Sequence, residues 1–575
     1  MKDIYKMVHI SYATFLRSAI SNSFGLLSLI EKVFIVFTAT MVSNCGFLDT
    51  YPSDGIGSSE MWRTAEHVDL GVTATYSFIR QRHSYMRNAL TDAYTEYAFI
   101  MNTGFDDNGQ RYFCYNSATT GFGLFQGKWE NDYRGVQYAN LAIANIPGVQ
   151  MEQEKKNVYL GESHFLRALY YFDLLTFYSG HKNSDLGIPI YTVMPEYDKA
   201  FLPRSTPADV RMLMVSDLEK AAELLPWRPS QKGRASRSAA LMLLGKVYLY
   251  ADMYTEAAEV FSRLMKENEE SSEPYSLHPD YGQMFTLAGE NNNEYMFVIS
   301  CLDTYGNGSY LDLLYSTRSG NCSGTNTSIP TIYLANAYLN KDGSEFTMPS
   351  GVDWSSEASV NALFRDRDPR LEATIIRPYA LFVGKDNVTY QFRTSYDTRT
   401  TPYPCLRTNN GLNDHYCWRK FCNTGNETTI RRHSPTDVPI MRWADALLLY
   451  AEALNEAYGP DDKVWSAIDL VRTRAGMPKV QRGNREQTRE LIRKERVYEL
   501  AGEGVLWFDW QRWYAHDPSY DYESRLNHRI LGYKGAPIGA QAGTRTFTSR
   551  NWYYAVPKSE IDQNPALKQA PGWDN

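Results

Sequence analysis

Apolar residues recur at helical spacing along most of this chain, and the densest run lies between Val438 and Trp513. Ile440, Trp443, Leu447, Ala451 and Leu454 fall three or four residues apart, which predicts a helix with one buried face. Val464, Ile468, Val471 and Ala475 repeat the spacing, and Gly476 with Pro478 reads as a C-terminal stop. A third helix carries charge. Arg493, Lys494, Glu495, Arg496, Glu499 and Glu503 are followed within one or two turns by Trp507, Asp509, Trp510, Arg512 and Trp513, so the charges lie beside aromatic surface. Earlier stripes are Val68, Val72, Thr75, Tyr76 and Ile79; Trp129, Tyr133, Val136, Asn140 and Ile143; and Phe165, Leu169, Phe172 and Leu175.

Residues 236–265 show a repeat unit, because Leu244-Gly245-x-x-Tyr248 followed by Ala257-x3-Phe261 matches the two-helix tetratricopeptide pattern of packed small and large residues. The hairpin 440–475 repeats it with Tyr450-Ala451 and Ala467-x3-Val471. Such units stack into a scaffold. The alternative is plain antiparallel hairpins without a true repeat. Two stretches have no period: 101–127, rich in Gly, Asn and aromatics, and 291–426, where short β-like runs alternate with Gly, Asn, Ser and Thr turns. Long irregular stretches in a folded chain are more often binding surface than linker. The expected fold class is mainly α, a helical scaffold beneath an irregular, loop-rich binding region.

Composition adds two facts. With 42 Tyr, 25 Phe and 12 Trp the chain holds more rings than a core needs, and Tyr and Trp meet neutral polar ligands through a flat face and one polar tip. The net charge of −7 and the lack of a compact basic patch argue against nucleic acid as a partner.

Residues 1–44 read as an export signal: Lys32, then an apolar run from Val33 through Val42 of roughly ten residues, then small polar residues before Cys45. The run is too short to span a bilayer. Six further cysteines follow. Cys417 and Cys422, with His415 and Asp414 nearby, have the ingredients of a loop-closing disulfide or a metal site, but the spacing is not that of a zinc CxxC pair. We read them as ordinary thiols and expect no metal.

The block 438–513 resembles the C-terminal region of the SusD/RagB family. The resemblance rests on Arg442-Trp443-Ala444-Asp445 leading to Ala451-Glu452-Ala453-Leu454-Asn455-Glu456, and on Val471-Arg472-x-Arg474-Ala475-Gly476-Met477-Pro478. It rests also on Glu495-Arg496, Glu499-Leu500-Ala501-x-Glu503-Gly504, and Asp509 to Arg512-Trp513. The tail Pro557-x-x-Glu560-Ile561, Asn564-Pro565, Leu567, Gln569 and Pro571-Gly572-Trp573 fits as well. Leu506 departs from the pattern, standing where the family has an arginine. Within the irregular centre only Phe364 to Arg370 (FRDRDPR) is motif-like, and the family implies a structural role for it.

The resemblance implies a surface lipoprotein of the outer membrane in Bacteroidota, anchored by acylation of Cys45. It further implies delivery of an oligosaccharide, or in RagB-type members a peptide, to a TonB-dependent SusC-like barrel transporter. The chain then divides into a leader (1–44), an N-terminal region with helical hairpins (45–290) and a C-terminal region (291–575), together one compact unit. Ligand-contacting rings are expected among Tyr112, Tyr115, Tyr305, Tyr310, Trp354 and Trp418, which lie among Gly, Asn, Asp, Ser or Arg. Trp129, Trp443 and Trp513 are expected in the core.

An enzyme reading competes, since glycosidases use two carboxylates and Glu495, Glu499, Glu503 and Asp509 are available. Arg496 and Arg512 stand close to them in sequence and would hold them ionised, whereas a general acid needs a raised pKa. We read Glu495, Arg496, Glu499, Glu503, Asp509 and Arg512 as a structural network. There is no GxSxG, HExxH, Walker loop or helix-opening GxGxxG, so no cofactor is expected. A tetratricopeptide-type assembly protein is the remaining alternative.

Overall fold

The computed structural model describes residues 61–574 apart from 82, 102–111, 183–184, 197–198, 305, 318–321, 323, 395–396, 398–401, 407–413, 425–433, 528–531 and 535–543. The leader, Cys45 and Tyr305 lie outside the described residues. Every element below belongs to the unit Thr64–Asn575.

The long helices are α1 (Ala65–Ser77), α2 (Gly123–Asn145), α3 (Gln153–Tyr178), α4 (Pro207–Leu224), α5 (Arg237–Tyr250) and α6 (Tyr254–Glu270). After the irregular centre come α7 (Trp443–Tyr458), α8 (Asp462–Arg474), α9 (Arg485–Leu500) and α10 (Leu506–Tyr514). Their starts follow from local chemistry. Thr206 and Asp209 form a capping box at α4, and Asn484 and Gln487 form one at α9.

Each helix from α2 to α6 packs on the next, α7 packs on α6, and α8 and α9 pack on α7. Small residues set the close approaches. Gly245 of α5 faces Phe261 of α6, and a Cβ there would come within 2.6 Å of the ring; Gly135 of α2 faces Tyr170 of α3 in the same way. From Gly161 to Tyr178 every residue of α3 is buried, so this helix is the centre of the stack.

Two sequence expectations need correction. Val438–Arg442 is a strand, β8, and α7 begins only at Trp443. The segment pairs antiparallel, with two register shifts, to β2 (Tyr295–Ile299), a partner far away in the sequence. The charged helix is likewise two helices. It breaks between Leu500 and Leu506 at Gly502 (φ +84°) and Gly504 (φ +76°), left-handed positions that only glycine takes freely. A Cβ on Gly504 would strike the backbone of Asn88, so the turn lies directly against the 3-10 segment Tyr85–Tyr94.

Short antiparallel strand pairs stitch the irregular centre to itself and, through β1, to the N-terminal region. β1 (Ala98–Ile100) pairs with β3 (Ser328–Pro330), and β4 (Ile375–Ile376) pairs with β7 (Cys417–Trp418). β5 (Leu381–Val383) and β6 (Thr389–Gln391) form a local hairpin. Within the stretch 101–127 the ring of Tyr112 is exposed, but other rings are core. Residues 102–111 lie outside the described residues, Gly123 already opens α2, and Phe113 and Phe125 are fully buried against Tyr554.

Candidate functional site

Beneath the irregular region lies a buried lattice of charge. Arg370 donates through Nη1 to Glu495 at 2.6 Å and Glu499 at 3.0 Å, and through Nη2 to Asp368 at 2.8 Å. Arg442 reaches Glu294 and Glu499 through Nη1 and Glu503 through Nε, each at 2.7 Å. Arg472 adds a bond to Glu495, Arg474 bonds Glu294 and Glu499, and Lys420 donates to Glu503 at 2.9 Å. Burial alone would raise the Glu499 carboxyl, but Arg474, Arg442 and Arg370 together hold it well below the ordinary range. Burial pushes the Lys420 ammonium down to about 8.

A second lattice joins α7, α9 and α10. Arg496 bridges Asp445 and Asp509 at 2.7 Å each, and Arg512 binds Glu452 at 2.5 Å and Asp509 at 2.9 Å. The indole N–H of Trp513 also donates to Glu452, at 2.8 Å. Trp513 is half-buried, unlike Trp129 and Trp443, which are core residues. Each carboxylate of the expected network is therefore held by a guanidinium or ammonium in a dry interior, an arrangement that fixes backbone segments.

Asp92 lies against the turn between α9 and α10. This buried carboxylate accepts the N–H of Gly502 at 2.8 Å and of Leu506 at 3.1 Å. Burial pushes it up to about 7 despite those bonds.

The candidate rings separate into two groups. Tyr112 is 44% exposed and is braced edge-on by Phe122 at 5.9 Å. Tyr115, half-buried, packs against the Phe99–Ile329 pair contributed by β1 and β3. Tyr310, also half-buried, sits under the Arg87 guanidinium at 5.1 Å. Arg87 and Tyr94 stand near opposite ends of the Tyr85–Tyr94 segment, and Phe113, beside Tyr112, packs on Tyr94 at 4.8 Å. At about 2 Å rise per residue, roughly 14 Å separates the two ring groups along that segment.

Trp354 and Trp418 do not belong with them. Trp418 is fully buried, stacked on Tyr315 at 5.2 Å, with its indole N–H donated to Ser328 at 3.2 Å. Trp354 is 7% exposed and lies against Tyr533 at 4.7 Å. Both rings have their faces occupied by the fold. Sequence reasoning missed the other half of the charge lattice, Arg370, Arg442, Arg474 and Glu294. Arg370, Arg442 and Arg474 stand in family motifs, but no partner is legible for them along the chain.

Among the described residues no cluster is placed to hold a metal ion. Cys417 and Cys422 are free thiols; Cys417 accepts from Asn326, and Cys422 donates to the Trp418 carbonyl. Among the described residues no helix is long and apolar enough to cross a membrane.

A helical scaffold closed by buried arginine–carboxylate lattices defines the class of fold, and comparison with known proteins assigns it. A model of the SusD family matches residues 286–573. Another, described as starch-binding and associating with the outer membrane, matches residues 46–249. The chain belongs to the SusD family. A SusD-like protein of Formosa agariphila is 22% identical over 501 residues, covering 83% of this chain and 89% of that one. A SusD-like carbohydrate-binding protein of Bacteroides fragilis superposes with a TM-score of 0.73 at 24% identity, covering 88% of this chain and 99% of that one. A laminarin-binding SusD-like protein gives 0.62 at 21% identity, covering 89% and 100%.

Proposed function

We propose that this protein captures an oligosaccharide at the cell surface and passes it, without breaking a bond, to a TonB-dependent barrel in the outer membrane. Acylation of Cys45 tethers it there. The observation that carries the binding reading is Tyr112, an exposed ring held in place by Phe122. A braced ring offers a flat apolar face for the C–H face of a sugar at little cost in side-chain entropy. Tyr115 and Tyr310 are the supporting contacts, and Tyr305 remains a candidate from sequence alone. The carbohydrate-binding and laminarin-binding neighbours support a glycan as the ligand class.

The test is isothermal titration of the mature protein with laminarin-derived and starch-derived oligosaccharides, followed by chromatography of the recovered ligand. Saturable binding with intact ligand is expected. A shortened ligand overturns the receptor reading, and binding of peptides in place of every glycan overturns the ligand class.

A further inference from the structure

A cleft of about 450 Å³ opens between α2, residues 189–195 with 200–201, and the C-terminal helix Lys558–Gln563. Its volume is that of a small-molecule site. It shares no residue with the ring groups at 112–115 and 310, and its walls come from the Trp129–Asn140 stripe and from Glu560, Asn564 and Leu567 of the tail motif.

The walls are aromatic and apolar: Tyr133, Tyr191, Met194 and Phe201 line the cleft. Met194 is 47% exposed and Phe201 36%. The hydroxyl of Tyr133 donates to the Pro189 carbonyl at 2.9 Å, and that of Tyr191 to the Ala200 carbonyl at 2.6 Å. Both phenols are thus committed to backbone, and what these residues bring to the cleft is ring surface.

Two carboxylates, Glu130 and Glu560, also line it. Glu130 accepts from the Gln126 amide at 2.7 Å, and Glu560 accepts from the Trp129 side chain. Among the described residues neither carboxylate has an ion-pair partner, in contrast to the carboxylates of the two interior lattices. Among the described residues Arg134 is the one cationic side chain lining the cleft.

This combination selects a ligand class. A wholly apolar guest would strip water from two carboxylates and return no hydrogen bond, which costs more than the apolar contact supplies. An anionic guest would meet like charge at the carboxylates, and a cationic guest would meet it at Arg134. A neutral sugar ring satisfies both surfaces: its C–H face lies on Tyr133, Tyr191 or Phe201, and its hydroxyls donate to Glu130 and Glu560. We infer that this cleft is a second carbohydrate site, built on the helical scaffold and taking a neutral pyranose. The inference stands on the cleft alone and does not require the Tyr112 site.

Saturation-transfer NMR on the full mature chain tests it, with glucose, galactose, mannose, N-acetylglucosamine and glucosamine as probes. Transfer to at least one neutral sugar is expected. It should fall at least fivefold in Phe201→Ala and in Glu560→Gln, and persist in Tyr112→Ala. Phe201 is exposed, and a glutamine at position 560 still accepts from Trp129, so both variants should melt like the wild type. Transfer that is equal in wild type, Phe201→Ala and Glu560→Gln overturns the inference. So does a response to glucosamine alone, or to no sugar at all. Loss of oligosaccharide binding in Tyr112→Ala with transfer at the cleft intact would separate this site from the proposed receptor site.

Discussion

Arg442 is joined to Glu499 twice, from Nη1 to the carboxylate at 2.7 Å and from Nη2 to the Glu499 backbone carbonyl at 2.8 Å. The end of β8 is thereby tied to the last turn of α9. Because Arg442 also holds Glu294 beside β2, a single guanidinium sets the height of the β2–β8 ribbon over the helices. Removing one partner of such a buried pair strands the other charge, at a cost of about 3–5 kcal/mol. Arg442→Ala and Glu499→Gln should both lower the denaturation midpoint strongly, measured by urea unfolding. Unchanged midpoints would show that the lattice contributes little.

The pH dependence has two opposing parts. The Glu499 carboxyl sits below its ordinary value, so its contribution is present above about 4.5 and is lost as pH falls toward the folded value. Asp92 is raised to about 7, so its contribution is full below the usual aspartate range and is lost as pH rises through 7. Between those limits the loss approaches about 1.4 kcal/mol per pH unit. Melting curves of wild type and Asp92→Asn from pH 5 to pH 8 should show the wild type losing its advantage as pH rises. A constant difference would refute the assignment.

Rings that present a face and rings that fill the core should separate cleanly on mutation. Tyr112→Ala should weaken oligosaccharide binding by about thirtyfold, near 2 kcal/mol, with melting unchanged. Trp418→Ala should instead cost about 3–5 kcal/mol of stability, because it empties the space between Tyr315 and the Gly502 turn. Titration calorimetry and thermal unfolding of both variants decide this. A Tyr112→Ala protein that melts early and binds normally would make Tyr112 a core ring and not a contact for sugar.

Gly245 is where α5 and α6 come closest to interpenetrating. An alanine there pushes into the buried Phe261 ring and should cost about 1–3 kcal/mol. Gly245→Ala combined with Phe261→Leu should recover part of the loss. If the single variant unfolds like the wild type, the helices have room that the geometry denies.

Membrane attachment is tested apart from the fold. Metabolic labelling with a fatty-acid analogue should mark the wild type and not Cys45→Ala, which should become soluble. Purification from outer membranes in mild detergent should recover a barrel transporter in near-equal amount. Its repeated absence would count against the transporter partnership.

The sequence by itself determined the helices and their order, because an apolar stripe and a cap are written within a few turns of each other. Val68, Val72, Thr75 and Tyr76 form one buried face of α1 as their spacing implies. It also carried the family, through motifs such as Arg442 to Asp445 and Glu499 to Gly504. What only the tertiary structure decided is which charge meets which, and which ring keeps a free face. Arg370 and Glu495 are 125 residues apart, and no local pattern records that they touch. Trp418 stands among polar and charged neighbours as an exposed ring would, but pairing of β7 with β4 and the approach of Gly502 close over it. Ile440 kept helical spacing and went into a strand, because its segment pairs with β2, which lies far away in the sequence. The cleft beside α2 exists only where residues 129–140, 189–195, 200–201 and 560–567 converge. Burial belongs to assemblies of distant segments, and periodicity reports only on near neighbours.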